Sequence, residues 1–154
     1  MSRSIIKEVT ISQSADATFD TLITPSLIKK WWLASGLVII PQNDGLTMTI
    51  WNDEEDHKDY ISEAKIKEYL RPERLLLTDI KYTSKKGHLP FNVDLNAEFT
   101  IQPKGEHVKL ILKQTGFPED ADSDKFFKSC NTEWEKTLIC LKDVAEKYSL
   151  RGPG

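Results

Sequence analysis

Residues 124–148 read DKFFKSCNTEWEKTLICLKDVAEKY, and their apolar members Phe127, Cys130, Trp134, Leu138, Leu141, Ala145 and Tyr148 recur every three or four positions. That spacing puts them on one stripe of an α-helix running from about Asp124 to Tyr148, with Lys125, Lys128, Glu133, Lys136, Lys142, Glu146 and Lys147 turned outward. A helix with one long apolar stripe must lie on an apolar surface. The only candidate large enough is a sheet built from the residues upstream, the last strand of which is closed by Thr115-Gly116-Phe117-Pro118.

Upstream, Ile5, Val9 and Ile11 share one parity against Glu8, Thr10 and Ser12, which reads as a first strand. Ser14 is placed to cap a short helix with Asp16 in its first turn and Ala15, Phe19, Leu22 and Ile23 as its apolar face. Thr24-Pro25 then starts a second helix, along which Leu27/Trp31 and Ile28/Trp32 pair at four-residue spacing. Beyond Trp32 the period switches to two, with strands expected near 37–41, 46–51, 58–70, 74–82, 92–101 and 107–115. Asn43-Asp44-Gly45, residues 52–56, residues 84–87 and Pro103-Lys104-Gly105 carry turn chemistry between them, so consecutive strands are expected to pair antiparallel.

The strand faces differ in quality. Val93, Leu95, Ala97, Phe99 and Ile101 form a dry face, continued by Val108, Leu110 and Leu112. Strand 58–70 is mixed, because Tyr60, Ser62, Ala64, Ile66, Glu68 and Leu70 share a parity. Asp79 falls on the parity of Leu75 and Leu77. Its carboxylate either lines a cavity, where it needs a partner or water, or is turned outward by a bulge or a strand end.

Composition narrows the function. A chain of 154 residues with 39% hydrophobic content fits one domain, 1–154, with a real core. A net charge of −3, with lysines interleaved among acids, leaves no basic footprint for nucleic acid. No apolar run approaches the roughly 20 residues of a membrane span, and no signal peptide is visible, so a cytoplasmic location is expected. Cys130 and Cys140 stand ten residues apart on one helix, roughly 15 Å along its axis, too far to pair, and are expected as free thiols. His57, His88 and His107 show no ligand spacing, so no metal or other cofactor is expected.

A curved antiparallel sheet wrapped around a long C-terminal helix, with two short helices between its first and second strands, is the helix-grip α+β arrangement. Residues matching it include Ala17-Thr18-Phe19 and Leu22, Pro25 with Ile28-Lys29-Lys30-Trp31-Trp32, and Pro72-Glu73-Arg74-Leu75 after Ala64, Ile66 and Glu68. Gln114-Thr115-Gly116-Phe117, and Trp134 with Thr137-Leu138 and Leu141-Lys142, complete the set. In their order and spacing, from about Ile5 to Glu146, the chain resembles the START-like superfamily of polyketide cyclases and lipid-transfer domains. Within it, the chain resembles the family named for activators of the heat shock protein 90 ATPase. It departs from that family's pattern at Glu133, where a glycine is frequent, and at Asp79, where an aromatic residue is frequent.

The resemblance implies a cavity between sheet and long helix that holds a small hydrophobic molecule, lipid or polyketide-like. The residues expected near it are Trp32, Met48, Trp51, Tyr60, Asp79, Phe99, Phe117, Phe127, Trp134 and Leu138, although for each apolar one plain core packing is the simpler account. Trp51 opposes the parity of Leu46, Met48 and Ile50 and stands either on the outer face or at the strand end. The resemblance also implies two other classes. One is an interaction module with a chaperone partner, although the activators that bind heat shock protein 90 carry an additional N-terminal domain for which this chain has no residues to spare. The other is a cyclase- or hydrolase-like enzyme, for which Asp79, Glu68 and the histidines are the only acid–base nominees, without a nucleophile–base pair.

Overall fold

The computed structural model describes residues 2–32, 36–53, 58–84, 87–88 and 95–147, with side chains described at all of these except 2, 36, 51–53, 58–60, 82–84, 87–88 and 122. Strand β1 (Ser2–Ile11) leads into helices α1 (Ala15–Ile23) and α2 (Pro25–Trp32). Strands β2 (Gly36–Ile39), β3 (Leu46–Asp53), β4 (Lys58–Leu70), β5 (Arg74–Ser84), β6 (Gly87–His88), β7 (Leu95–Lys104) and β8 (His107–Pro118) follow, and helix α3 (Ala121–Lys147) completes the order. The sheet is antiparallel, in the order β1-β8-β7-β5-β4-β3-β2, with β6 beside β5. Sequential pairing thus holds through much of the meander. The first strand instead closes against the last, which lets one sheet wrap around α3.

Local chemistry sets the helix limits. Ser14 Oγ accepts from the Ala17 N–H at 3.1 Å, capping α1. The Thr24 carbonyl accepts the first backbone bonds of α2, from Leu27 and Ile28. Helix α3 starts at Ala121, three residues ahead of the periodicity, because Asp120 Oδ1 accepts from both the backbone N–H of Ser123 (2.9 Å) and its hydroxyl (2.8 Å). Those bonds hold the Asp120 carboxyl below its ordinary range. The far end of the stripe, Tyr148, lies outside the described residues. Along α3, Trp134, Leu138, Leu141, Val144 and Ala145 are buried, and Phe126, Phe127, Cys130 and Cys140 pack partly buried against the same core.

Three bulges decide which side chains face that core. Ala64 of β4 stands opposite both Asp79 and Ile80 of β5, and Asp79 adopts φ 53°. The extra residue shifts the alternation by one, so Ile80 is buried and Asp79 faces out, 49% exposed and 3.5 Å from Lys65. A second register shift, between Ile66 and Glu68, sends Tyr69 inward against Phe19 (ring centroids 5.2 Å). Glu68 then turns out to meet Arg74, and Leu70 is exposed, which accounts for the mixed parity of strand 58–70. A third lies between Gln114 and Phe117, where two residues of β8 oppose Ser4 alone; Gly116 takes φ 101° there, and Phe117 is buried.

Candidate functional site

The inner face of β3 is opposite to the one its sequence suggests. Thr47 is in register with Ala64 and Thr49 with Ser62, and directly opposed residues share a face. The core side of β3 therefore carries threonines, while Leu46 and Met48 stand outside with Val38 of β2 and Ile40 just beyond it, their neighbours across the ladder. Leu37 and Ile39 of β2 join the threonines on the inner side.

Between this part of the sheet and the helices lies a cavity of about 40 Å³. Its helical wall is Leu22 of α1, Ile28, Trp31 and Trp32 of α2, and Trp134 of α3. The sheet contributes Leu37, Ile39, Thr47, Thr49, Ser62 and Ala64 on one side. Leu75, Leu77, Ile80, Ala97, Phe99 and Gln114 complete the lining. Trp32 stacks on Trp31 (5.2 Å, 16°) and approaches Trp134 (5.9 Å), which meets Phe99 edge-on (6.1 Å, 71°). The half-buried Trp32, Leu37, Ile39, Thr47 and Leu77 mark the side toward solvent, and the buried Thr49, Ser62, Ala97, Phe99 and Gln114 the interior.

The polar groups of the cavity are few and tightly placed. The Trp31 indole N–H donates to the Thr21 carbonyl at 2.9 Å, and the Trp134 indole N–H donates to Gln114 Oε1 at 2.6 Å. Because an indole nitrogen only donates, the second bond fixes which end of the Gln114 amide is oxygen and leaves Nε2 as its free donor. Among the described residues, three buried side-chain atoms lack a hydrogen-bond partner, and two of them, Thr49 Oγ1 and Gln114 Nε2, belong to cavity residues. No Asp, Glu, Lys, Arg or His is among the described residues lining it.

Of the residues expected at the site, Trp32, Phe99 and Trp134 meet at this cavity. Leu138 is buried in the core beyond it. Phe117 and Phe127 pack on each other (5.2 Å) at the start of α3, under the Arg3 guanidinium, 4.5 Å from the Phe127 ring. Arg3 also pairs with Asp124 at 2.6 Å, so that cluster fastens β1 to α3 instead of lining the cavity. Met48 and Asp79 are corrections: both lie along a groove on the outer face with Glu63, Lys65 and Lys81, for the reasons of register and bulge given above. Trp51 is in register with Tyr60, and the side chains of both lie outside those described. Thr49, Ser62 and Gln114 line the cavity and were not among the residues expected there. Gln114 had a visible signal, a polar residue continuing the parity of Val108, Leu110 and Leu112.

Cys130 lies partly buried in the apolar seam, where burial first and the nearby Glu133 charge second push its thiol up to about 12. Such a thiol is a poor nucleophile at neutral pH. Among the described residues no group of His, Cys, Asp and Glu is placed to hold a metal ion, and no helix is long and apolar enough to cross a membrane.

A wrapped antiparallel sheet gripping one long helix, with a small apolar cavity at their junction, defines a START-like helix-grip protein. The chain belongs to the activator of Hsp90 ATPase homolog 1-like family, whose profile matches residues 12–146. Solved structures with the same fold include protein MLL2253 from Mesorhizobium loti, at TM-score 0.77 and 16% identity, covering 96% of this chain and 100% of that one. CalU16 from Micromonospora echinospora matches at TM-score 0.69 and 17% identity over 95% and 78% of the two chains. The Aha1 dimer from Colwellia psychrerythraea matches at 0.68 and 16% over 94% and 97%. A comparison with curated proteins found no match.

Proposed function

We propose that the protein binds a small, largely apolar molecule in the cavity between the sheet and helices α2 and α3. The observation that carries this reading is the lining itself: mostly aliphatic and aromatic side chains, with two buried polar atoms that have no hydrogen-bond partner among the described residues. Leaving a buried polar atom unpaired costs about 1–3 kcal/mol, so an occupant that bonds to it offsets that cost. Small-molecule sites have this composition, an apolar wall with a few placed polar groups. Native mass spectrometry of the protein purified gently from its own host tests the reading. A discrete extra mass released on unfolding supports it, and an unliganded mass together with no thermal stabilisation by apolar compounds argues against it.

A second reading, docking of a chaperone or another protein partner, draws on the family and on one surface feature. Val38, Ile40 and Leu46 are exposed together on the outer face of β2 and β3, at the end of the sheet order. Val38→Lys with Ile40→Lys would abolish partner binding without disturbing the cavity if this surface is used, and binding retained by that double variant would remove the reading.

A further inference from the structure

We infer that the cavity selects an uncharged molecule bearing an oxygen acceptor, a carbonyl or ether-type oxygen that enters first and takes a hydrogen bond from Gln114 Nε2. The inference rests on the binding reading above and specifies its ligand. Gln114 is fully buried, its Oε1 is held by Trp134, and its Nε2 has two protons and no partner. The position therefore asks for an acceptor and discriminates against a molecule that offers only hydrocarbon. Thr49 of β3, 1% exposed and with its Oγ1 also unpartnered, is a second polar residue of the lining. Its hydroxyl either donates or accepts, so it does not alter the requirement that Gln114 sets.

Neutrality follows from the rest of the lining. With no cationic side chain among its described residues, the cavity has no positive charge to offset the burial of a carboxylate or a phosphate, which is far more costly than burying a neutral polar group. The orientation follows from size. The cavity of about 40 Å³ exceeds what one water needs but falls well short of the roughly 150 Å³ of an engineered cavity that takes up benzene. It admits the oxygen-bearing end of a molecule, while the apolar remainder lies toward Trp32, Leu37 and Ile39, which are only half buried.

Three compounds of matched size test this: acetophenone, ethylbenzene and benzoate, titrated at pH 7 into the full chain and followed in nitrogen–proton correlation spectra that include the Gln114 side-chain amide. Acetophenone should shift that amide and bind roughly two- to tenfold more tightly than ethylbenzene, the range of one net hydrogen bond, and benzoate should bind most weakly. Gln114→Glu keeps an acceptor for the Trp134 indole while replacing the donor, and should erase the preference for acetophenone. Should that variant fail to fold, the wild-type ranking and the amide shift still decide. Equal affinity for ethylbenzene and acetophenone would overturn recognition by Gln114 while leaving apolar binding intact. Tightest binding of benzoate would overturn neutrality. Failure of all three to bind would overturn both the inference and the reading beneath it.

Discussion

The indole Nε1 of Trp134 donates to Gln114 Oε1 at 2.6 Å, joining the middle of α3 to β8 through two buried side chains. Replacing Trp134 by Ala removes both the packing and the bond and should cost about 3–5 kcal/mol. Trp134→Phe keeps most of the packing but orphans Oε1, and should cost about 1–3 kcal/mol. Urea melts give both values, and a loss below about 1 kcal/mol for Trp134→Ala would show that α3 is not anchored through this residue.

Thr49→Val should behave in the opposite direction. Its hydroxyl is buried without a partner, so removing it at nearly constant shape should leave the unliganded protein as stable or up to about 1 kcal/mol more stable. Thermal unfolding reads this directly. Destabilisation beyond about 1 kcal/mol would reveal a bonding partner for that hydroxyl and weaken the case for a polar group reserved for a ligand.

Asp79 occupies the left-handed region at a bulge and is half exposed on the outer face. Its ion pair with the exposed Lys65 is worth little. Asp79→Asn should therefore change stability by less than about 0.5 kcal/mol and leave the binding of apolar probes unaltered. Asp79→Val forces a branched side chain into φ 53° and should cost about 1–2 kcal/mol. A marked change in probe binding by the Asn variant would place the carboxylate at the cavity after all.

The Cys130 thiol, pushed up from 9.0 to about 12, should react with iodoacetamide at pH 8 about a thousandfold more slowly in the folded protein than in urea. The shift favours the neutral thiol in the native state. Its contribution to stability is thus complete below pH 9 and is lost as pH rises through the window from 9 to about 12. Mass mapping of the alkylated peptide gives the rate, and equal rates in both states would contradict the burial.

At Glu146, burial opposes the charge, but the Lys142 ammonium at 2.6 Å and the Ser12 backbone N–H at 2.7 Å outweigh it and hold the carboxyl below its ordinary range. A depressed folded pKa means that the stabilisation is present above the unfolded value, near 4.5, and is lost as pH falls through the folded one. Glu146→Gln should be less stable than wild type at pH 7, and the two should converge in acid. Melting curves that stay parallel from pH 7 to acid would show that this carboxylate does not link folding to pH.

Much of the fold is legible in the residues themselves. The three- and four-residue recurrence of α3, the alternation of β7 and β8, the cap at Ser14 and the helix start at Thr24-Pro25 are local signals, carried by neighbours in sequence. The Asp120 cap is equally local but was hidden by the weak apolar character of residues 121–123, which places the helix start three residues late. Of the cavity lining, three aromatic residues, Trp32, Phe99 and Trp134, were legible because bulk on a dry parity or at the end of an apolar helix face points to the junction of sheet and helix.

By itself the sequence determined the kinds of elements, their order and the helix that the sheet must cover, because periodicity and capping depend on residues a few positions apart. Which faces β3, β4, β5 and the end of β8 show was decided only in three dimensions. One extra residue at Asp79, one near Lys67 and one at Gly116 each reverse the alternation beyond them, and a bulge exists only relative to the strand it opposes. The same holds for the inward threonines of β3 and for the free donor of Gln114. The first depends on register with Ser62 and Ala64, and the second on an indole twenty residues further along the chain that takes one end of the amide and leaves the other unpaired.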